Sequence, residues 1–168
     1  ASGHFCLLPS FENAFPTGEP DVSDYIIVTE RLGLRRFTLS DVDALHDVFS
    51  DSYARRFFPS MSRRPAVERW IRRDLERYDT LGFGLWAMCL RHNGQLIGGC
   101  GLTHQEVEGK TELELGFHVR ADMRQQGFAT EAARACMQFG FQGMACKRIV
   151  CMVHPDNFPS LALAKRVF

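Results

Sequence analysis

Hydrophobic and polar residues recur along the chain with two different periods, and each period predicts a type of element. Leu32 and Leu34 alternate with arginines in the two-residue period of a β-strand. Ser40 precedes the apolar-periodic run DVDALHDVF, whose first turn is acidic, as at the start of a helix. A second helix is predicted after Pro65, where apolar residues fall at three- and four-residue spacing as far as Leu81–Gly82.

The second half of the chain predicts a hairpin followed by a crossover. Two β-type runs flank Asn93–Gly94, a dipeptide typical of tight hairpin turns. Beyond it, TELELGFHV is a predicted strand, TEAARACMQFGFQGM a helix, KRIVCMVH a strand, and SLALAKRVF a helix that begins at Ser160. An antiparallel meander joined to one β-α-β crossover predicts an α+β fold, a mixed and mostly antiparallel sheet with helices on both faces.

Length and composition narrow the possible functions. The 168 residues suit one domain at roughly 150 residues per domain. Twenty basic and twenty acidic residues give zero net charge, which argues against a nucleic-acid or membrane-surface partner. No apolar run approaches the roughly 20 residues of a bilayer span. Residues 1–24 hold three of the seven prolines and neither period, so we expect an irregular arm there and the domain at 25–168.

The six cysteines fall mostly in apolar runs and include no Cys-x-x-Cys pair. This favours buried thiols in a reducing cytoplasm over a disulfide framework or a zinc site. We therefore expect a cytoplasmic protein without a metal. The apolar residues of the arm are expected to pack on the domain or on a neighbour, so a homodimer is possible.

The strand TELELGFHV separates two kinds of side chain. Its odd-numbered members are apolar and predict the core face: Leu113, Leu115, Phe117 and Val119. Its even-numbered members predict a polar face with a gap at the glycine: Glu112, Glu114, Gly116 and His118. The alternative interpretation is a half-exposed strand that shows its charges to water.

The loop 124–129 leads from this strand directly into a helix. Its small residues let the backbone approach a ligand, and the unpaired amides of the helix start, with the helix dipole, suit an anion such as a pyrophosphate. The loop lacks the lysine of a P-loop and is not Gly-x-Gly-x-x-Gly, so neither nucleotide fingerprint applies. A plain helix cap is the alternative.

At this loop the sequence resembles the GNAT acetyltransferase family, whose acetyl-CoA motif reads Arg/Gln-x-x-Gly-x-Gly/Ala. Arg124, Gly127 and Ala129 match the three fixed positions. The runs Glu114 to Val119 and Gly127 to Ala132 resemble the Rim-type branch, which includes ribosomal-protein N-acetyltransferases. The resemblance to the family covers most of the chain, because further runs follow the family order: Thr29 to Arg35, Leu39 to Asp41, Asn93–Gly94 with Ile97–Gly98, and Asn157-x-x-Ser160. The resemblance implies a GNAT fold that continues through two more strands, so we expect the domain to be incomplete after Phe168.

The resemblance also implies acetyl-CoA as co-substrate and a role for each matching residue. The backbone of Phe117, His118 and Val119 would pair with the pantetheine arm as an added strand would. The pyrophosphate would be held by the amides of Gln126, Gly127, Phe128, Ala129 and Thr130. Arg124 would add positive charge and Asn157 would hydrogen-bond the pantetheine, whereas Ser160 is interpreted as a helix cap rather than a ligand.

Acetyl transfer to an amine requires a proton acceptor, because an alkylamine near pH 7 is mostly protonated. Glu114 is the predicted base, since it lies beside the Gly116 gap and matches the glutamate of the Rim-type Glu-x-Gly run. Glu112 on the same face and a chain of waters are the alternatives. His118 and His154 are candidates for relaying a proton, although each suits a packing or rim position as well.

The stretch 53–64 concerns binding of the acceptor, and Ala164 concerns release of the thiolate. The resemblance assigns the acceptor wall to residues 53–64, with an apolar slot and an arginine group that either attracts an acidic acceptor or is a solvated surface. The slot residues are Phe57, Phe58 and Met61, and the arginines are Arg55, Arg56, Arg63 and Arg64. Many GNAT enzymes have a tyrosine in the last helix that protonates the leaving thiolate, where this chain has Ala164.

These observations predict an acetyl-CoA-dependent N-acetyltransferase that works by direct transfer in a ternary complex. The expected acceptor is an amine, either a protein N-terminus or a small molecule. The alternative, which Ala164 permits, is a non-catalytic acyl-CoA-binding or sensing domain. A third interpretation is an interaction module whose apolar arm docks on a partner.

Overall fold

The computed structural model of the chain describes residues 24–168, so the predicted arm lies outside the described residues except for Asp24. The strands are β1 (Tyr25–Val28), β2 (Leu32–Arg35), β3 (Leu85–Leu90), β4 (Leu96–Val107), β5 (Lys110–Val119) and β6 (Ile149–Val150). The helices are α1 (Val42–Val48), α2 (Ser52–Phe57), α3 (Arg64–Leu81), α4 (Phe128–Gln138) and α5 (Phe158–Val167). None of the helices in these residues is long and apolar enough to span a membrane.

The six strands form one sheet in chain order. Strands β1 to β5 are antiparallel neighbours, and β6 pairs with β5 in parallel after the crossover through α4. This confirms the predicted mixed, mostly antiparallel sheet with one β-α-β unit. Two buried clusters cover its faces, one under α4 and one under α1 and α3. Helices therefore shield both faces of the sheet.

The predicted alternation of β5 is confirmed. Leu113 and Leu115 are buried in the cluster under α4, and Phe117 and Val119 pack against it. The opposite face of β5 is turned toward the helices of the first half of the chain, because His118 contacts aromatic residues there. The polar row is half-buried, and its His118 end lies beneath the first helices.

Helix α3 ends as predicted, because Gly82 follows Leu81 in the left-handed conformation with φ of 80°. It begins at Arg64, so Pro65 lies within its first turn rather than before it. The start of α1 differs from the prediction at Ser40. A short 3-10 turn precedes the helix, and Thr38 caps that turn in a capping box with Asp41. The Thr38 amide donates to Asp41 Oδ2 over 2.8 Å, so this pair fixes the entry of the chain into α1.

Three further boundaries differ from the sequence-based expectations. Residues 52–57 form α2 where a loop is predicted, with Asp51 Oδ1 as N-cap, accepting from the amides of Tyr53 (2.9 Å) and Ala54 (3.1 Å). The predicted strand KRIVCMVH is reduced to the two residues of β6. Helix α5 begins at Phe158 rather than at Ser160, so the cap assigned to Ser160 is wrong.

The short β6 opens the sheet beside β5. The parallel ladder consists of Leu113 opposite Ile149 and Glu114 opposite Val150. Beyond these pairs β5 continues to Val119, whereas the chain after Val150 leaves the sheet and reaches α5. A cleft results between the end of β5 and the start of α5.

Candidate functional site

The cleft beside β5 has a volume of about 650 Å³. Its floor is the end of β5, and its sides are the loop before α4, the first turn of α4 and the first turns of α5. The remaining wall comes from the α1–α2 region, with Phe49, Tyr53 and Phe58 among its residues. The fold therefore brings four separate stretches of sequence around one space.

Most of the predicted cofactor-binding residues line this cleft. They are Phe117, His118, Val119, Arg124, Gly127, Phe128, Ala129, Thr130 and Asn157. Gln126 is an exposed residue of the same loop and does not line the cleft, although Gln125 beside it does. Residues predicted separately from a strand, a loop and a helix start thus share one site.

The loop enters α4 through a backbone conformation that favours glycine. Gly127 has φ of +84° and is the N-cap of α4. A side chain at this position would also meet Arg31, because its Cβ would lie 3.2 Å from Arg31 Nη2. The guanidinium of Arg31 lies over the ring of Phe128, 4.4 Å from its centroid. Arg31 therefore packs against the loop at the point where the amides of the helix start are exposed.

Glu131 in the first turn of α4 joins this helix to the β1–β2 turn. Its carboxylate accepts from Thr29 Oγ1 (2.6 Å), from the Arg31 amide (2.9 Å) and from Arg31 Nε (2.7 Å). Arg31 Nη1 in turn donates to the Gln126 carbonyl over 2.9 Å. Burial by itself raises the pKa of Glu131, but the hydrogen bonds from Thr29 and Arg31 outweigh it and lower the pKa.

The Thr29–Arg31–Glu131 network was not assigned by sequence reasoning. Thr29 and Arg31 lie 102 and 100 residues before Glu131, beyond the reach of a local pattern. The available signal was that both ends belong to runs shared with the GNAT family. The network holds the loop in place without contributing any chemistry of its own.

Arg124 also holds the loop before α4 against the rest of the protein. It forms a two-pronged ion pair with Asp51, from Nη1 to Oδ1 (3.1 Å) and from Nη2 to Oδ2 (2.6 Å), and donates from Nε to the Val119 carbonyl over 3.0 Å. The guanidinium lies 4.6 Å from the centroid of the Tyr53 ring. Its hydrogen bond to Asp51 lowers the pKa of that carboxyl. The charge of Arg124 is therefore already paired, and this residue joins the loop to the start of α2.

Asn157 is buried at the start of α5, where it caps the helix. Its Oδ1 accepts from the Ser160 amide over 3.2 Å and also from the hydroxyl of Tyr53. Tyr53 lines the cleft, although sequence reasoning gave it no role beyond the first position of the acceptor wall. The contact joins α2 to α5 across the cleft.

Glu114 lies on the half-buried face of β5, opposite Thr103 in β4 and Val150 in β6. Burial raises the pKa of its carboxyl, and a hydrogen bond from the Met152 backbone opposes the shift. Glu114 does not line the cleft. Glu112 differs from it, because Arg148 Nε donates to Glu112 Oε2 over 3.0 Å. The two carboxylates of this face therefore have different environments.

His118 is enclosed by aromatic rings, with centroid distances of 5.0 Å to Phe49, 4.7 Å to Phe58 and 6.1 Å to Trp70. Burial lowers its pKa to about 4. The imidazole is therefore neutral near pH 7 and too weak a base to suit proton transfer there. The other candidate relay, His154, is exposed and accepts from the Asp156 amide over 3.1 Å.

The predicted acceptor wall is only partly in the cleft. Phe58 lines it, whereas Phe57 and Met61 do not. The four arginines of the 53–64 stretch also lie outside the cleft, and Arg56 is paired with Asp156 over 3.3 Å. Among residues 24–168, no group of three or more histidine, cysteine, aspartate or glutamate side chains could hold a metal ion.

Comparisons with known proteins agree with this geometry. The family model described as acetyltransferase (GNAT) domain matches residues 31–167. The chain is 26% identical over 146 residues to an uncharacterized N-acetyltransferase of Bacillus subtilis (strain 168) named YnaD, which covers 84% of this chain and 80% of that protein.

Two solved structures have a similar fold. The GNAT-family acetyltransferase from Bacillus anthracis superposes with a TM-score of 0.70 at 25% identity, covering 84% of this chain and 81% of that one. RimL, a ribosomal L7/L12 α-N-protein acetyltransferase in complex with coenzyme A, superposes with a TM-score of 0.65 at 18% identity, covering 85% and 82%. These likenesses extend over most of each chain.

Proposed function

The chain belongs to the GNAT acetyltransferase family, and on that premise we propose that it is an N-acetyltransferase that moves an acetyl group from acetyl-CoA to an amine. The observation that carries this proposal is the cleft, which brings the end of β5, the loop before α4 and Asn157 around one space. The transfer is direct, within a ternary complex of enzyme, acetyl-CoA and amine.

The co-substrate lies along the floor of the cleft in this proposal. The backbone of residues 117–119 pairs with the pantetheine arm, beyond the point where the chain leaves the sheet after β6. The amides of residues 126–130 hold the pyrophosphate at the start of α4, where the helix dipole favours an anion. The coenzyme A in the RimL structure supports this choice of ligand.

Glu114 is the proposed general base. The amine nitrogen attacks the thioester carbonyl, the C–N bond forms, the C–S bond breaks, and the amine proton passes to Glu114 through a water, since Glu114 does not line the cleft. Its raised pKa brings the carboxylate closer to the working pH of such a base. The proton passes to bulk water afterwards, and the thiolate, with an ordinary pKa of about 8.5, leaves and takes a proton from water.

The acceptor approaches the wall formed by Phe49, Phe58 and His118. Among the described residues that line the cleft there is no aspartate or glutamate, and His118 is neutral near pH 7. This wall favours an amine with an apolar neighbouring group over a polycation. A protein N-terminus and a small-molecule amine both fit that description. The cytoplasmic location and the homodimer stay predictions.

Calorimetry with acetyl-CoA, followed by a thiol-release assay over amines and N-terminal peptides, tests the proposal. Binding together with release of CoA for one acceptor class is the expected result, and it also identifies the acceptor. Binding of acetyl-CoA without release for any acceptor would favour the acyl-CoA-sensing alternative that Ala164 permits. Absence of binding would overturn the proposed co-substrate.

The base is tested by Glu114→Gln. We expect kcat to fall about 100-fold while the affinity for acetyl-CoA is unchanged, because general-base catalysis contributes on the order of 10²–10⁴. Glu112→Gln is the matched control on the same strand face, since Glu112 is held by Arg148. Because the pKa of Glu114 is raised, wild-type kcat should fall as the pH decreases through that pKa, and the variant should lack this limb. An unchanged kcat in Glu114→Gln would exclude Glu114 as the base.

A further inference from the structure

The polar face of β5 is interrupted at Gly116, and the side chain of Leu85 fills the interruption. A Cβ added to Gly116 would lie 3.0 Å from Leu85 Cδ2, and 3.8 and 3.9 Å from its Cδ1 and Cγ. Leu85 is in β3, opposite Gly101 of β4, which in turn is opposite Gly116. The leucine side chain therefore reaches across β4 and covers β5 at its glycine.

Leu85 is held in this position by its backbone and by packing. Its carbonyl accepts from the hydroxyl of Tyr78 on α3, and that hydroxyl accepts in turn from the Phe37 amide over 3.3 Å. The side chain is buried in the cluster that contains Phe49 of the cleft wall. Leu85 is therefore a fixed part of the same apolar cluster as the wall that the acceptor is proposed to approach.

The cleft and Glu114 lie on opposite sides of this leucine along β5. His118 lines the cleft, whereas Gly116 and Glu114 on the same strand face do not. Residues two apart on a strand are separated by about 7 Å, and His118 and Glu114, four apart, by about 13 Å. Leu85 covers the residue halfway between them. An acceptor that enters from the cleft therefore meets Leu85 before it reaches Glu114.

The proposed function puts the reacting thioester beside the same glycine. The loop that holds the pyrophosphate in that proposal follows the C-terminal end of β5. The pantetheine arm then runs from Val119 toward Phe117, and its acetyl end lies nearest to Gly116. The amine-bearing carbon of the acceptor comes closest to this point, so its substituents are the groups that face Leu85.

We propose that Leu85 is a specificity-determining residue of the acceptor site, which selects amines whose amine-bearing carbon has no bulky branch. The inference rests on the proposed function, because that function places the thioester beside Gly116. Leu85 stops the acceptor short of Glu114, and a water bridges the remaining distance. An unbranched acceptor reaches the thioester, whereas a branch at this carbon collides with a leucine that the packed interior holds in place.

The experiment measures the selectivity of the full chain between two acceptors that differ only in this branch. If peptides are the acceptors, the pair is one sequence that begins with glycine or with valine. If small amines are the acceptors, the pair is a linear amine and its analogue with an isopropyl group on the amine-bearing carbon.

We expect the wild-type kcat/KM to be about tenfold higher for the unbranched acceptor, because a few carbon atoms in a closed pocket have an effect of this size. Leu85→Ala should raise kcat/KM for the branched acceptor about tenfold, since it removes the side chain that the branch meets. The kcat/KM for the unbranched acceptor and the affinity for acetyl-CoA should stay close to the wild-type values.

Two further variants control for the loss of packing. Leu96→Ala makes the same truncation in the same buried cluster, at the other end of the β3–β4 ladder, and it should leave the selectivity unchanged. Leu85→Val removes less volume, so it should stay folded even if Leu85→Ala does not, and it should shift the selectivity in the same direction by a smaller factor. A gain of activity with one acceptor is not expected of a damaged fold.

The outcomes separate this inference from the proposed function. If the wild type used the branched acceptor as well as the unbranched one, the inference would be overturned and the proposed function would stand. Unchanged selectivity in the folded Leu85 variants would also overturn it, because the leucine would then not limit the acceptor. Failure of the wild type to release CoA with any acceptor would overturn the proposed function itself.

Discussion

The two sides of the cleft are stabilised by different interactions. We call residues 124–131 the loop wall, which is tied to the rest of the protein by the ion pairs Arg31–Glu131 and Arg124–Asp51. We call Phe49, Phe58 and His118 the aromatic wall, which is held by ring contacts around a neutral imidazole. The difference is consistent with the proposed function, in which fixed polar groups orient the anionic co-substrate and an apolar surface receives the uncharged amine.

The largest effect is expected from Gly127→Ala, which disturbs the loop wall. In Gly127→Ala the left-handed φ costs about 1 kcal/mol and the new Cβ displaces Arg31, which moves the loop amides. A displacement of this kind is expected to weaken acetyl-CoA binding by about 100-fold. Isothermal calorimetry measures the change.

The matched control for this prediction is Gly109→Ala in the β4–β5 turn. Gly109 has φ of +75°, and a Cβ added there would have nothing within 4 Å, so the substitution introduces the same backbone strain away from the cleft. Both variants should lose similar stability, and only Gly127→Ala should lose affinity. Equal affinities in the two variants would refute the role of the loop wall.

An intermediate effect is expected at the aromatic wall. Phe58→Ala removes a cleft-lining ring and should raise the KM for the acceptor about tenfold, with the affinity for acetyl-CoA unchanged. Phe57→Ala is the control, because Phe57 does not line the cleft and packs on Tyr53 and His154. Steady-state kinetics with saturating acetyl-CoA measures both, and the same KM in the two variants would contradict the assignment of this wall to the acceptor.

The smallest effect tests the neutral state of His118. Its folded pKa of about 4 lies below the ordinary 6.5, so the unfolded chain takes up the proton first as the pH falls. The stability due to the neutral imidazole is complete above pH 6.5 and is lost as the pH falls toward 4. Between about pH 7.5 and pH 5.5 the wild type should lose about 1 kcal/mol more than His118→Gln in the free energy of unfolding. Denaturant titration at the two pH values measures this, and equal losses would mean that His118 is not held neutral.

The loop wall and its strand were largely predictable from sequence, because their signals are local. The two-residue period of β5 and the passage from the loop into α4 depend on residues close together in the chain. The ion pairs that hold the loop wall were not predictable in this way. Arg124 and Asp51 are separated by 73 positions, and only the folded sheet brings them together.

The errors in the prediction also have physical reasons. Helix α2 has six residues, too few for a helical period to be visible, although Asp51 and Pro59 flank it as cap and breaker. Asn157 and Ser160 are both good capping residues three positions apart, and sequence alone does not rank them. Asn157 is the cap in the structure, and its Oδ1 also accepts the Tyr53 hydroxyl, a partner 104 positions away in sequence.

Because β6 is short, a ligand bound in the cleft would stabilise this edge of the sheet. The ladder between β5 and β6 consists of two residue pairs. A ligand along the rest of β5 would add contacts between β5 and the chain after β6 that the protein itself does not make. Binding to the folded state alone would then raise the free energy of unfolding by about 2.7 kcal/mol when the ligand is present at 100 times its Kd. With acetyl-CoA as the proposed ligand, the lifetime of the protein against proteolysis would follow the supply of acetyl-CoA, and a cell short of it would degrade the protein faster.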